Sequence, residues 1–157
     1  MRKRAGTWFG EKVKSDGFTF DSKKEEAFYQ KFIKPSGYSF DVHKSFKLHP
    51  IIELCDGNLR IRGSHYSPDF VLYDDKGKML HVIDVKNSFT SFAIDAAASL
   101  RFKLFALTYE VPVQVVVPRA NDFRVKIMGT TKKFEPVTQS DFDYEIKDLI
   151  YEGMGRK

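Results

Sequence analysis

Two runs of β-forming residues, 66–73 and 79–86, are separated only by Asp74-Asp75-Lys76-Gly77-Lys78. A link this short and rich in Asp and Gly predicts a β-hairpin. If Lys76 and Gly77 form a two-residue turn, Asp75 pairs with Lys78 and, counting back along both strands, Asp69 stands opposite Asp84. A three-residue turn with a bulge would shift that pairing by one. Strand alternation puts Asp84 and Lys86 on one face and Ile83 and Val85 on the other. Charges in so apolar a strand are costly, several kcal/mol per ion when buried without partners. Two carboxylates facing one another repel unless a cation lies between them. Hard divalent ions such as Mg²⁺, or Mn²⁺, prefer carboxylate oxygen, so Asp69 and Asp84 are candidate ligands. Lys86 beside such an ion is placed to orient a water or to stabilise charge developing on a phosphate. Plainer readings stand beside these: Asp69 as a turn or bulge residue after Pro68, and Lys86 as a lysine at a strand end.

The rest of the pattern is that of one α/β domain spanning residues 1–157. A helix is expected to follow Ser22 as N-cap, with Glu25 three residues on in a capping-box position and Ala27, Phe28, Phe32 and Ile33 as its apolar stripe. Pro35-Ser36-Gly37 ends it. Residues 38–48 alternate like a strand, and residues 51–61 form a second strand region broken at Asp56-Gly57-Asn58. Residues 91–109 predict a long helix with Ala93, Ala96, Ala97, Leu100, Leu104 and Leu107 facing the sheet. The apolar, β-branched run 113–117, reached by that helical crossover, predicts a strand parallel to 79–86. Residues 123–128 are expected to add an edge strand and residues 140–151 a last helix. That helical region, 139–152, is acidic, with Asp141, Asp143, Glu145, Asp148 and Glu152 against Lys147, and should face away from nucleic acid.

Net charge is +5, and the excess is concentrated in residues 1–14, where Arg2, Lys3, Arg4, Lys12 and Lys14 oppose only Glu11. Such a basic arm suits phosphate contact, and it equally fits a solvated tail. Asn87 and Ser88 after the charged strand, and Arg101 and Lys103 on the long helix, are further candidates for nucleic-acid contact. Trp8, Phe9 and Phe18 could stack on unpaired bases, although aromatics more often fill cores. The single cysteine, Cys55, allows no internal disulfide, and no Cys/His cluster suggests zinc. His43, His49, His65 and His81 lack ligand spacing and read as structural or surface residues. No apolar stretch approaches the ~20 residues of a membrane span. The basic start lacks a signal peptide's apolar segment, so a soluble protein of the cytoplasm is expected.

Three segments now stand in a telling order: Phe20-Asp21-Ser22-Lys23-Lys24-Glu25 on a helix, then Ser67-Pro68-Asp69-Phe70, then Ile83-Asp84-Val85-Lys86. Over roughly residues 18–118 this resembles the PD-(D/E)XK nuclease superfamily, in particular phage-encoded members and the endonuclease I type of Holliday-junction resolvase. The resemblance implies a restriction-endonuclease-like mixed β-sheet flanked by helices. It implies an endodeoxyribonuclease using Mg²⁺ or Mn²⁺ on branched or structured DNA, acting as a homodimer in DNA recombination. By it Glu25, Asp69, Asp84 and Lys86 are catalytic, and Glu25, Asp69, Asp84 and Val85 form the metal set, with Glu26 the competing helix carboxylate. Asp84 stands where the commoner residue is Glu. A catalytically silent nucleic-acid-binding module on the same fold is the alternative.

Overall fold

The computed structural model describes residues 11–154. The chain opens with a hairpin, β1 (Val13–Ser15) and β2 (Phe18–Phe20), in which Lys14 pairs with Thr19. Of the expected basic arm, Lys14 lies on this hairpin and Lys12 just before it, while Arg2, Lys3, Arg4, Trp8 and Phe9 lie outside the described residues. Helix α1 (Lys23–Phe28) starts where Ser22 Oγ accepts the Glu25 N–H at 3.1 Å, the capping contact expected of that residue. It then widens into a π-helical turn over Tyr29–Ile33 and tightens over Lys34–Ser36, ending at Gly37 with φ 78°. Phe28, Tyr29, Phe32 and Ile33 all lie in the core, on one face of this helical segment.

Next come β3 (Ser39–Val42), β4 (Phe46–His49), the hairpin β5 (Ile52–Leu54) and β6 (Leu59–Ile61), β7 (Ser64–Tyr66), β8 (Phe70–Tyr73) and β9 (Met79–Val85). The alternating run 38–48 is thus two strands in different sheets, separated at His43, whose φ is 54°. The chain continues with α2 (Ala96–Tyr109), β10 (Val113–Pro118), β11 (Phe123–Met128), β12 (Val137–Gln139) and α3 (Ile146–Gly153). Six strands form the main sheet in the order β12-β11-β10-β9-β8-β3. The β9–β10 pairing is parallel, as the helical crossover predicts, and the others are antiparallel. The molecule is a mixed α/β protein.

Three expectations need correction. Helix α2 begins at Ala96 rather than near residue 91, and its N-cap is Asp95, whose Oδ1 accepts the Ala98 N–H at 2.8 Å. It buries Ala98, Phe102 and Phe105, while Leu100 and Leu107 are exposed. Aromatic rings remove more apolar area from water than leucines, so the aromatic face wins the contact with the sheet. Strand β11 is internal, because β12 pairs outside it. The last helix is shorter than 139–152, capped at Glu145, with residues 140–145 leading into it.

Each face of the sheet has its own core. One is filled by α1, β2 and the C-terminal segment through Phe20, Phe28, Phe70, Ile83, Phe123 and Phe142. The other is filled by α2, β4 and β7 through Phe46, Tyr66, Val82, Phe102 and Phe105.

Candidate metal centre

The β8–β9 register is the one that sets Asp69 against Asp84, though by a route the two-residue turn does not describe. Asp74 N–H donates to Lys78 O at 2.9 Å, closing a three-residue loop with Gly77 at φ 80°. That loop alone would shift the pairing by one. Tyr73 accordingly pairs with Met79, but Leu72 pairs with His81, so Leu80 is an extra residue that restores the count. Phe70 then faces Ile83, and one step further sets Asp69 across from Asp84. On its other side β8 pairs with β3, Val42 facing Phe70. The next step sets His43 beside Asp69, and His43 N–H donates to Asp69 O at 3.1 Å. His43, Asp69 and Asp84 therefore form a row across the ends of three adjacent strands.

The first turn of α1 brings Glu25 to this row. The Glu25 side chain is 5% exposed, and its Oε1 lies 2.6 Å from His43 Nε2. His43 Nε2 is also 3.5 Å from Asp69 Oδ1 and 3.6 Å from Asp21 Oδ2. One donor atom from each of Asp21, Glu25, His43 and Asp69 falls within 4.8 Å of all the others. The 2.6 Å separation is that of a charge-assisted bond, but its direction is not: neither Glu25 Oε1 nor His43 Nε2 makes a hydrogen bond of acceptable geometry. Of the two helix carboxylates, only Glu25 lies in this cluster. Glu25 is buried in the cluster, whereas Glu26 is only half-buried and uses its N–H on Ser22 O at 3.1 Å.

Asp84 stands beside this group rather than in it. Its Oδ2 accepts from the buried Tyr66 hydroxyl at 2.7 Å, and its Oδ1 lies 3.2 Å from Lys86 Nζ. Val85 turns its N–H to Asp69 Oδ2 at 2.7 Å, tying the two strand ends together. Burial, then the neighbouring Asp69 charge, raises the Asp84 carboxyl to about 6. Burial also raises Asp69, against the opposing influence of the nearby His43 imidazole. His43 is pushed up to about 10 by Asp69 and then Glu25, so its imidazole is protonated at neutral pH. Four carboxylates then face two cations, His43 and Lys86, and the centre keeps an excess of negative charge. Excess negative charge and an unsatisfied buried carboxylate oxygen fit a divalent cation.

His43, expected from the sequence as a structural or surface residue, lies in the acidic cluster. Its partners come from the register between β3 and β8 and from α1, none of which is local in sequence. Among the expected nucleic-acid contacts, Lys12, Lys14, Asn87, Arg101 and Lys103 are exposed and Ser88 half-buried. Ser88 Oγ is engaged with Thr90 Oγ1 at 2.9 Å, and the Arg101 charge acts on the Tyr66 hydroxyl that holds Asp84. Phe18 is not free to stack on a base: its ring meets Tyr29 edge-on at 5.7 Å.

These features define a mixed α/β protein with an acidic, histidine-containing centre at the rim of its main sheet. Residues 7–124 match the family described as Protein of unknown function (DUF1064). That match covers most of the chain, α1 and all the residues of the centre included, and the chain belongs to this family. No curated protein and no solved structure matches it. Among the described residues no helix is long and apolar enough to cross a membrane.

Proposed function

We propose that the protein is a metal-dependent endodeoxyribonuclease with a restriction-endonuclease-like core, acting on branched or structured DNA as a homodimer within the cell. The observation that carries this reading is Glu25. A carboxylate buried to 4% exposure, with one oxygen unsatisfied, is delivered by a separate helix to the strand ends that bear Asp69 and, across from it, Asp84. Among the described residues Glu25 meets only His43, at short distance but without the direction of a hydrogen bond; a buried carboxylate so poorly satisfied is destabilising, and its retention favours a cation-binding role over a purely structural one.

Asp69, Asp84 and Glu25 would hold a Mg²⁺ or Mn²⁺ ion, which when bound supplies Lewis acidity and a more acidic water. The protein's own groups supply the rest. Lys86, its side chain 29% exposed, reaches the solvent edge of the centre. There its ammonium would meet the negative charge that builds on a phosphate under attack. Its backbone is fixed by donation to Val116 O at 2.9 Å. Tyr66 holds one Asp84 oxygen and leaves the other towards Lys86 and the site. Arg101 and Lys103 on α2, Asn87 after β9, Lys14 on the first hairpin and Lys12 just before it are exposed cations and donors suited to the flanking DNA backbone.

The test offers supercoiled plasmid and a synthetic four-way junction to wild type and Lys86→Ala, with Mg²⁺, Mn²⁺ or EDTA. The expected result is cleavage by wild type with metal, preference for the junction, and a fall of about a hundredfold or more in Lys86→Ala. Absence of metal-dependent cleavage in wild type, with both proteins still shifting the junction on a gel, would replace this reading with the silent binding module.

A further inference from the structure

We infer that Asp21, Glu25, His43 and Asp69 form one mixed nitrogen–oxygen cation site that prefers a first-row transition ion such as Mn²⁺ to Mg²⁺, with the His43 imidazole as a direct ligand. The inference deepens the preceding proposal and rests on its reading of Glu25 and Asp69 as metal ligands, while naming a different donor set and a different ion class.

Geometry is the first ground. Donors around one ion at about 2.0–2.2 Å lie at most about 4.4 Å apart. The four donor atoms already lie within 4.8 Å of one another, so a contraction of a few tenths of an ångström closes the shell. The second ground is independent of the acidic cluster as such. Glu25 Oε1 is buried and meets His43 Nε2 at 2.6 Å without the direction of a hydrogen bond. An ion that takes both atoms displaces the proton on His43 Nε2 into solvent and becomes their shared partner in its place.

The site is also held in advance. His43 and Asp69 are tied through the His43 N–H to Asp69 O bond, and Asp69 to β9 through Val85 N–H. Glu25 is fixed by the helix cap at Ser22. Asp21, 65% exposed at its side chain, is the one donor open to solvent and gives the ion a way in. Both Asp84 oxygens are occupied, by Tyr66 and Lys86, which leaves that carboxylate beside the shell as a neighbour.

Ligand chemistry then sets the ion. Imidazole nitrogen suits first-row transition metals, whereas Mg²⁺ demands near-ideal oxygen octahedra and gives up its waters reluctantly. An all-carboxylate site would lack this bias.

The test uses the full chain and simple salts. MnCl₂ and MgCl₂ are titrated calorimetrically into wild type, His43→Asn and Lys86→Ala, and electron spin-echo spectra are recorded on the Mn²⁺-loaded proteins. Asparagine is the chosen replacement because His43 sits at φ 54°, where Asn is well tolerated, so the variant should keep its fold. The expected result is a nitrogen coupling to Mn²⁺ in wild type and Lys86→Ala that is missing in His43→Asn. With it, the Mn²⁺ affinity of His43→Asn drops about tenfold or more while Mg²⁺ affinity changes little.

A Mn²⁺ complex of wild type without nitrogen coupling, no Mn²⁺ binding at all, or a folded His43→Asn with wild-type affinity overturns the inference. Should His43→Asn not fold, the wild-type spectrum alone decides. Cleavage without nitrogen coupling removes this inference and leaves the nuclease reading. Nitrogen coupling in a protein that cuts nothing does the reverse.

Discussion

Asp84 shows how one residue is kept at a cost to the fold. Its carboxylate is buried across from Asp69, and its acidity is weakened to about 6 even with Lys86 and Tyr66 in contact. The ionised form is therefore less stable in the folded protein than in the unfolded chain at neutral pH. Replacement Asp84→Asn keeps an oxygen for the Tyr66 hydroxyl and removes the repulsion with Asp69, and Lys86 can turn to water. In EDTA at pH 8 the variant should be more stable than wild type by about 1–2 kcal/mol, read as a higher urea midpoint at unchanged slope. The same variant should lose cleavage. A lower midpoint would show that the Lys86 ion pair outweighs the carboxylate repulsion. Stability traded against a site is the pattern expected where charge is held for function.

At the level of elements, α2 packs on the sheet through Phe102 and Phe105 and passes closest to it at one glycine. Gly129, directly after β11, sits at φ 83°, and a Cβ there would fall 2.9 Å from Lys103 N and 3.0 Å from Phe102 C. Gly77 in the β8–β9 loop has nearly the same φ, 80°, with nothing within 4 Å. Gly77→Ala should therefore cost only the left-handed backbone penalty, about 1–2 kcal/mol. Gly129→Ala should cost clearly more, because the backbone of α2 must also move. Equal losses in urea denaturation would mean that the helix contact contributes nothing. Hydrophobic period located α2, β10 and the β8–β9 hairpin, and the charged pair in an apolar strand located Asp84 and Lys86. Period could not choose between the two apolar stripes of α2, since Leu100 and Leu107 score like Phe102 and Phe105 and only docking separates them. The Asp69–Asp84 pairing was legible although the turn was not, because a three-residue loop and the extra Leu80 offset one another. His43 was illegible as a site residue, since its place depends on a left-handed backbone and a strand partner distant in sequence.

Across the whole molecule, the centre of the sheet is tied to the C-terminal segment by a buried polar chain, and that chain is sensitive to acid. His81 Nε2 lies 3.2 Å from Phe142 O and so carries a proton to donate, leaving Nδ1 to accept from Gln114 Nε2 at 3.0 Å. Gln114 Oε1 in turn accepts from the Tyr144 hydroxyl at 2.7 Å. A second proton on His81 would set two donors against each other. Turning the Gln114 amide to relieve this would take the acceptor away from Tyr144. Burial already lowers the His81 pKa below 6.5. Above 6.5 both states carry a neutral imidazole and the contribution is fully present. As pH falls below 6.5 the unfolded chain takes up a proton that the native state refuses, so stability declines until the lower, native pKa is reached. Asp84, raised to about 6, works in the opposite direction over part of that window, gaining stability as it protonates. His43, raised to about 10, is protonated in the native state throughout, whereas the unfolded chain takes up that proton around 6.5, so it too gains stability as pH falls from 7, as does Asp69, whose carboxyl is also raised. The measurement therefore uses Asp84→Asn as background and follows the urea midpoint from pH 7 to pH 5 in EDTA, with and without His81→Gln. His43 and Asp69 are common to both proteins, so the difference between them reports His81. The midpoint at pH 5, relative to that at pH 7, should be lower in the background protein than after His81→Gln is added. Tyr144→Phe, which frees the Gln114 oxygen to receive the His81 proton, should narrow that difference while lowering stability at pH 7. A midpoint that changes equally with and without His81 would place the acid sensitivity elsewhere.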